Sequence, residues 1–223
     1  MNYRHEVKHL ISPADAAAIR ANLSAVATLD PHAAGQGYYR IRSLYFDDPL
    51  DTALHEKLDG VNKREKFRIR LYNGDSSFIC LEKKSKINGL CSKQSAIIDS
   101  GCARRLSEGD FEFLKDSENG LLTEAYAKMR AGLAPKVLVD YTRTAFVFAP
   151  GNVRVTMDYN IRTGLKHTDI LDEHCVTLPI LNDPKILEIK WDGFLPDIIR
   201  DAVNIPFRRV SAFSKYAACR MYD

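Results

Sequence analysis

Residues 66–72 read KFRIRLY and alternate strictly between polar and apolar side chains. Because successive side chains of a β-strand point to opposite faces of the sheet, this pattern predicts a strand with one apolar and one cationic face. The apolar set is Phe67, Ile69 and Leu71, and the polar set is Lys66, Arg68, Arg70 and Tyr72. Such a strand needs hydrophobic cover on one side and solvent or neutralising charge on the other.

The same period recurs along most of the chain. The further predicted strands are Tyr3–Ile11, Tyr38–Phe46, Ser77–Lys84, Lys93–Ile98, Pro135–Phe148, Val153–Tyr159, Cys175–Leu178 and Lys185–Lys190. Helices are predicted after Ser12 and Pro13, over one or two stretches between Leu106 and Leu133, and in residues 211–223. We therefore predict an α+β fold, in which an antiparallel β-barrel of about eight strands carries covering and plugging helices. No repeat or flexible linker divides residues 1–223, so a single domain is expected.

Composition excludes several classes of protein. The 223 residues contain 32 Lys and Arg against 29 Asp and Glu, a net charge of +3, which disfavours a uniformly basic nucleic-acid or membrane binder. Basic side chains alternate with acidic ones on the strands, and the aromatic residues form no evident platform on which nucleobases could stack. No nucleic-acid partner is therefore expected. The five scattered cysteines and the absence of a long apolar run predict a cytoplasmic chain without a transmembrane segment. This leaves room for a membrane partner protein, and the oligomeric state stays open.

Acids and bases share strand faces in a repeated Glu-x-Lys pattern. The pairs are Glu6 with Lys8, Glu82 with Lys84, and Glu188 with Lys190, and Arg154 shares a face with Asp158. One interpretation is a set of solvated faces with cross-strand salt bridges. The other is that the hydrophobic faces carry helices on the outside of a closed barrel and the charged faces line a tunnel.

A tunnel of this kind needs a highly charged guest, because neighbouring cations repel strongly at reduced dielectric. Arginine grips phosphate oxygens with two parallel hydrogen bonds, and lysine supplies a mobile point charge. Carboxylates instead hold Mg²⁺ or Mn²⁺, which bridges phosphate oxygens. The mixture predicts metal-assisted phosphoryl transfer, with Glu6, Glu82 and Asp158 as candidate acids of the tunnel interior.

Motifs in order along residues 3–220 resemble the polyphosphate polymerase domain of the vacuolar transporter chaperone family, in the triphosphate tunnel metalloenzyme superfamily. The matching segments are RHEVKHLI, SLYFDD, HEKLDGVNKREKFRIRLY, LEKKSKINGLCSKQ, VDYTRTAF, VRVTMD, LEIKWDGFLPD and FSKYAACR. The resemblance implies that a set of tunnel residues binds phosphate: Lys8, Arg68, Arg70, Lys84, Lys93, Tyr141, Arg143, Arg154, Ser214 and Lys215. It implies that Glu188 holds the divalent metal, Mn²⁺ or Mg²⁺, and that Glu6 lies nearby.

The resemblance also implies the activity, which is ATP-dependent polyphosphate synthesis. Two departures qualify it. Arg4 stands where the superfamily has the first Glu of a Glu-x-Glu-x-Lys motif, and Gln94 stands where related sequences often have a base. We expect no membrane anchor or inositol-phosphate-sensing domain of the yeast type. Two alternatives stay open, namely a triphosphatase acting in the same tunnel and a non-catalytic polyphosphate-binding module.

Overall fold

The computed structural model describes residues 3–33, 35–204 and 210–222. Its strands are β1 His5–Ile11, β2 Thr28–Leu29, β3 Tyr39–Asp47, β4 Arg64–Tyr72, β5 Asp75–Ile87, β6 Leu90–Ile98, β7 Ala134–Phe148, β8 Val153–Thr163, β9 Leu178–Pro179 and β10 Lys185–Trp191. Its helices are α1 Pro13–Val26, α2 Thr52–Leu58, α3 Ser100–Ser107, α4 Gly120–Arg130, α5 Asp197–Ala202 and α6 Lys215–Arg220.

Eight strands form one curled antiparallel sheet in the order β1-β10-β8-β7-β3-β4-β5-β6, with β2 paired to β7 and β9 to β8. The two ends of this order meet, because the Arg4 amide donates to the Cys91 carbonyl at 3.0 Å and the Cys91 amide donates back at 3.2 Å. Farther along β1, the Ser211 amide donates to the Lys8 carbonyl at 2.7 Å. The sheet therefore curls far enough to enclose an interior.

Helices cover the apolar outer face of the sheet. Helices α1 and α5 place Ile19, Leu23 and Ile199 against β8 and β10, where the buried partners are Val155, Met157 and Leu187. Helices α3 and α4 place Leu106, Leu121 and Met129 against β4, β5 and β6, where Phe67, Ile69, Leu81 and Ala96 are buried. The strict alternation in KFRIRLY thus divides helix-facing residues from interior ones.

The C-terminal helix α6 closes part of the interior. Tyr216 and Cys219 are buried against inward-facing residues of β3 and β7, and the Tyr216 ring stacks on Tyr45 at 5.1 Å between centroids. Ser214 caps this helix by accepting a hydrogen bond from the Ala217 amide at 3.3 Å. The covering and plugging helices of the predicted fold are both present.

Local predictions fare unequally. The start of α1 is confirmed, since Ser12 Oγ accepts from the Asp15 amide at 3.2 Å and Pro13 is its first residue. The stretch 106–133 contains the end of α3, a 3-10 turn at Glu112–Leu114, and α4. The predicted strand Cys175–Leu178 is wrong except at Leu178, where β9 begins. In the predicted helix 211–223, only Lys215–Arg220 is α-helical, and Asp223 lies outside the described residues.

Asp47 at the end of β3 joins two helices to the barrel. Its side chain is buried and accepts hydrogen bonds from the Ala53 and Leu54 amides of α2, at 2.9 Å and 3.1 Å, and from the Tyr216 hydroxyl of α6. We expect Asp47→Ala to lower the free energy of unfolding by about 3 kcal/mol, because the buried Tyr216 hydroxyl and two half-buried amides lose a charged acceptor. Urea unfolding measures this. The neighbouring Asp48→Ala, whose carboxylate caps α2 from an exposed position, serves as the control, with an expected loss of about 1 kcal/mol.

Candidate active site

A cavity of about 1090 Å³ runs through the barrel. Its lining includes Arg64 and Lys86, a cross-strand pair of β4 and β5, and also Tyr72 and Asp75, the last pair before the hairpin turn. At about 3.3 Å per residue, the strand from Arg64 to Tyr72 spans about 26 Å. The cavity is therefore elongated, and we call it the tunnel.

The tunnel is strongly cationic. Among its described lining residues are fourteen lysines and arginines but only four aspartates and glutamates, whereas the whole chain carries a net charge of only +3. Two cations 4 Å apart repel by about 4 kcal/mol at an effective dielectric constant of 20. This lining therefore depends on carboxylates placed among and behind the cations.

The first charge cluster joins β1, β10 and β5. Lys8 Nζ lies 3.4 Å from Glu6 Oε1 and 3.3 Å from Glu188 Oε1. Lys190 Nζ also contacts both carboxylates, at 3.5 Å and 3.0 Å, and Lys84 Nζ lies 2.7 Å from Glu6 Oε2. The β1–β10 register explains the arrangement, because Lys8 stands opposite Glu188 and Glu6 stands opposite Lys190.

The cations of this cluster keep its carboxylates ionised. Burial and the nearby Glu188 raise the pKa of Glu6, but Lys84, Lys8 and Lys190 outweigh them and lower it to about 2. Burial likewise opposes ionisation of Glu188, yet Lys190, Lys8 and Lys84 hold its pKa well below the usual range. Burial disfavours the charge of Lys8, but Glu188 and Glu6 raise its pKa above the ordinary value.

The second cluster surrounds Glu82 on β5, which is 1% exposed. Arg68 donates to Glu82 Oε2 from Nε at 2.8 Å, and Lys93 Nζ lies 3.0 Å from Oε1. Arg70 is less firmly tied to it, at 3.8 Å, and donates instead to the Tyr141 hydroxyl at 2.9 Å. Burial raises the pKa of Glu82, but Arg68, Arg70 and Lys93 lower it far below the usual range.

The third cluster surrounds Asp158 on β8, which is fully buried. Arg143 grips both of its oxygens, at 2.6 Å and 2.8 Å, and Lys215 of α6 contacts Oδ2. Lys215 Nζ also lies 4.5 Å from the centroid of the Tyr141 ring. Burial raises the pKa of Asp158, but Arg143 and Lys215 lower it to about 2. Glu82 and Asp158 therefore back the tunnel cations and do not line the tunnel.

Arg154 on β8 is held separately from these clusters. Its Nη2 donates to the Tyr39 hydroxyl at 2.8 Å and forms an ion pair with the buried Asp30. Arg154 lines the tunnel together with Tyr39.

Lys66 on β4 is one of the tunnel residues that were not among the predicted site residues, as are Lys190 and Tyr45. Its Nζ lies 5.3 Å from the centroid of the Tyr45 ring, and it stands opposite Lys84 in the ladder. Within the described structure it has no carboxylate as an ion-pair partner. Burial is the largest cause that lowers the pKa of Lys66, to about 7, and the cations Lys84, Lys8 and Arg68 add to the effect. The signal was its place in the alternation of KFRIRLY, on the same face as Arg68 and Arg70.

The structure brings the predicted site residues together. Twelve of them line the tunnel: Glu6, Lys8, Arg68, Arg70, Lys84, Lys93, Tyr141, Arg143, Arg154, Glu188, Ser214 and Lys215. Their roles toward a ligand stay predictions. Of the two departures, Arg4 lies at the tunnel edge and donates to Asp192 Oδ1 at 2.8 Å, and Gln94 pairs with Lys83 on the face of β6 opposite Lys93.

Two tunnel-facing carboxylates fit a divalent cation. The described residues contain no group of three or more His, Cys, Asp and Glu placed as metal ligands. Magnesium nevertheless needs only one or two carboxylates when substrate phosphates and water complete its shell. Glu188 and Glu6 meet this need because both are ionised and line the tunnel, whereas Asp158 lies outside the lining.

An antiparallel barrel that encloses a cationic tunnel defines the triphosphate tunnel class of folds. Within this class, the chain belongs to the VTC domain family, whose family profile matches residues 3–222. The resemblance found from the sequence motifs is thereby confirmed. A comparison with curated proteins finds no match.

Solved structures share the fold at low sequence identity. An adenylyl cyclase candidate from Hippeastrum with a dominant triphosphatase activity is 16% identical, with a TM-score of 0.55 over 98% of this chain and 96% of that one. A Pyrococcus horikoshii protein is 14% identical, with a TM-score of 0.52 over 96% and 98% of the two chains. A candidate adenylate cyclase from Bacillus halodurans is 12% identical, with a TM-score of 0.51 over 90% and 86%. No helix in the described part of the chain is long and apolar enough to cross a membrane.

Proposed function

We propose that this protein is an ATP-dependent polyphosphate polymerase, a transferase that moves the γ-phosphoryl group of ATP to the end of a polyphosphate chain inside the tunnel. Membership of the VTC domain family and the tunnel fold are consistent with phosphoryl transfer. The finer assignment to a polymerase rests on the charge and length of the tunnel.

The observation that carries the proposal is the excess of cations. Fourteen lysines and arginines against four acids give the described lining an excess of ten positive charges. Four further carboxylates that pair with lining cations, those of Asp30, Glu82, Asp158 and Asp192, reduce this excess to six. ATP carries about four negative charges at neutral pH, since each bridging phosphate contributes about one and the terminal phosphate about two. One triphosphate therefore leaves about two of these positive charges without a counter-charge. A longer phosphate chain that follows the full tunnel would neutralise the remaining positive charges of the lining.

The residues suit a reaction that is mostly positioning and charge neutralisation. Arg70 and Arg68 would grip phosphoryl oxygens, and Lys8 and Lys84 would neutralise charge that develops in the transition state. An oxygen of the chain's terminal phosphate attacks the γ-phosphorus, the bond to the β–γ bridging oxygen breaks, and ADP leaves. No side-chain nucleophile is required. Glu188 and Glu6 would hold Mn²⁺ or Mg²⁺, which supplies Lewis-acid charge to the phosphate oxygens when bound.

The setting follows from the substrate. ATP and magnesium are plentiful in the cytoplasm, and the five cysteines are free thiols, as a reducing compartment maintains them. We place the protein there, with residues 1–223 acting as one domain, with ATP and polyphosphate as its partners, and with a membrane protein as a further partner that could receive the chain.

The test is incubation of the protein with ATP and Mn²⁺ or Mg²⁺, followed by gel separation of the products. We expect a ladder of long, phosphatase-resistant but polyphosphatase-sensitive chains, formed in step with ADP. Removal of metal by a chelator is expected to stop synthesis. Release of orthophosphate without chains would overturn the polymerase in favour of a triphosphatase, which the activity of the Hippeastrum relative makes the second candidate. Tight binding of polyphosphate without turnover would identify a binding module.

A further inference from the structure

Three aromatic rings converge where the tunnel reaches the β4–β5 hairpin. Tyr39, Tyr72 and Phe78 come from β3, β4 and β5, and all three line the tunnel. The centroids of Tyr39 and Tyr72 are 6.0 Å apart, and those of Tyr72 and Phe78 are 6.4 Å apart. The three rings therefore form one contiguous aromatic surface, which we call the aromatic mouth.

The aromatic mouth is fixed on one side and open on the other. Tyr39 is 2% exposed, and its hydroxyl accepts a hydrogen bond from Arg154. The hairpin is fixed too, because Asn73 exchanges hydrogen bonds with the backbone of Arg40 at 2.8 Å and 2.9 Å. Phe78, in contrast, is 45% exposed, although it lies on the strand face that also carries Glu82 and Lys84. An apolar ring that stays exposed beside a cationic path offers a rigid surface on which a planar group can stack.

Cations adjoin this surface on the inner side. The Arg70 guanidinium carbon lies 6.0 Å from the centroid of the Tyr72 ring, and Arg154 donates a hydrogen bond to the Tyr39 hydroxyl. The opposite end of the β4–β5 ladder is lined by Arg64 and Lys86, which suit an anionic chain. A ligand that matches both features has a flat aromatic group at one end and phosphates that extend inward.

We propose that Tyr72 and Phe78 form a subsite for the nucleobase of ATP, which fixes the direction in which the triphosphate enters the tunnel. This inference rests on the proposed function, since it takes ATP as the phosphoryl donor. The base stacks on Phe78 and Tyr72, and the phosphates pass Arg70 toward the cationic interior. Because every base has a π face, this subsite favours nucleoside triphosphates over inorganic phosphate chains with little preference among bases.

The test compares the binding of ATP and of inorganic tripolyphosphate by isothermal titration calorimetry. We expect Phe78→Leu to weaken ATP binding by about tenfold, as expected for a lost stacking partner, and to change the dissociation constant of tripolyphosphate by less than about twofold. Phe78→Trp keeps a stacking surface and is expected to bind ATP at least as tightly as the wild type. Phe194→Leu is the matched control, because Phe194 is 60% exposed and lies outside the tunnel lining.

Two results would overturn the subsite. One is ATP binding by Phe78→Leu that equals the wild type, and the other is an equal loss for ATP and tripolyphosphate. The readout needs no turnover, so it is separate from the polymerase assay. A protein that makes no chains but still distinguishes ATP from tripolyphosphate through Phe78 would contradict the proposed polymerase and support the subsite.

Discussion

Replacement of Arg70 by alanine is expected to lower the rate of ATP turnover by about 10³-fold, the upper range for loss of a preorganised donor to a developing anion. Arg70 is 5% exposed and lines the tunnel. Its hydrogen bonds go to neutral groups, the Tyr141 hydroxyl and Ser43 Oγ, at 2.9 Å and 3.2 Å. Its nearest carboxylate contact is 3.8 Å, to Glu82, so its positive charge is less neutralised than those of Arg68, Arg143 and Arg154.

Structural damage is a poor explanation for that loss. Glu82 keeps Arg68 and Lys93 as partners when Arg70 is removed, and repulsion between Arg68 and Arg70 is relieved. Arg70→Lys keeps the charge but loses the bidentate hydrogen bonding to phosphate, so its rate should lie between those of the wild type and Arg70→Ala. Arg42→Ala is the matched control. Arg42 pairs with Asp140 at 2.9 Å on the face of β3 that points away from the tunnel. Initial rates of ADP release decide the matter, and an Arg70→Ala rate within tenfold of Arg42→Ala would contradict the role.

The cationic lining is compatible with a stable fold because the acids around it are placed at different depths. Glu82 and Asp158 lie behind the cations and compensate them permanently, whereas Glu6 and Glu188 share the lining with them. Since desolvating an unpaired charge is costly, this backing lets the barrel fold before any polyanion binds. The remaining cationic excess is what a phosphate chain can neutralise.

The fold, and which strand faces turn toward the tunnel, could be predicted from KFRIRLY and the Glu-x-Lys pairs, because alternation assigns each side chain to a face. The depth of Glu82 could not be predicted, because it depends on the pairing of Glu82 with Arg68 in the β4–β5 ladder. Cross-strand register is a non-local property, so a carboxylate that lines the tunnel and one that backs it look alike in the sequence.

Helix α2 escaped prediction for a related reason. Its N-cap residue, Asp51, has left-handed backbone angles and makes no side-chain capping bond to the helix. The helix is held instead by Asp47 and Asp48, whose carboxylates accept hydrogen bonds from the amides of its first three residues. Because these carboxylates precede the N-cap position by three and four residues, they leave no Ser-x-x-Glu type of signal at the helix start.

Lys66 leads to the second large effect, a pH dependence of phosphate binding. In the free tunnel its pKa is lowered to about 7, by burial first and then by Lys84, Lys8 and Arg68. A bound phosphate chain is an opposite charge and raises that pKa again. Above pH 7 the free protein must therefore take up a proton at Lys66 when the chain binds. Affinity should fall as pH rises, by up to about tenfold per pH unit for one proton.

Tyr45 has to be separated from this effect. Burial raises its pKa, but Arg68, Lys66 and Arg70 lower it to about 7, and its hydroxyl accepts a hydrogen bond from Arg68 at 2.9 Å. An anionic guest would favour its protonated form, so Tyr45 also takes up a proton on binding, with the same sign. The measurement is therefore made in a Tyr45→Phe background, where Lys66 is the one of the two groups that titrates. Because the Tyr45 charge raises the pKa of Lys66, its removal lowers that pKa further, and Lys66 of the free protein is neutral above pH 7.

The decisive comparison is between Lys66 and arginine at the same position. In the Tyr45→Phe background, the dissociation constant of tripolyphosphate is expected to rise about tenfold between pH 7.5 and pH 8.5. Adding Lys66→Arg should flatten this rise, because arginine stays protonated throughout the range, and Lys66→Met should flatten it at weaker affinity. Ionisation of the tripolyphosphate itself is common to all three proteins and cancels in their ratios. If the dissociation constant rises equally with pH for lysine and for arginine at position 66, another tunnel group takes up the proton. A flatter rise for arginine identifies Lys66 as the group that becomes protonated when the phosphate chain binds.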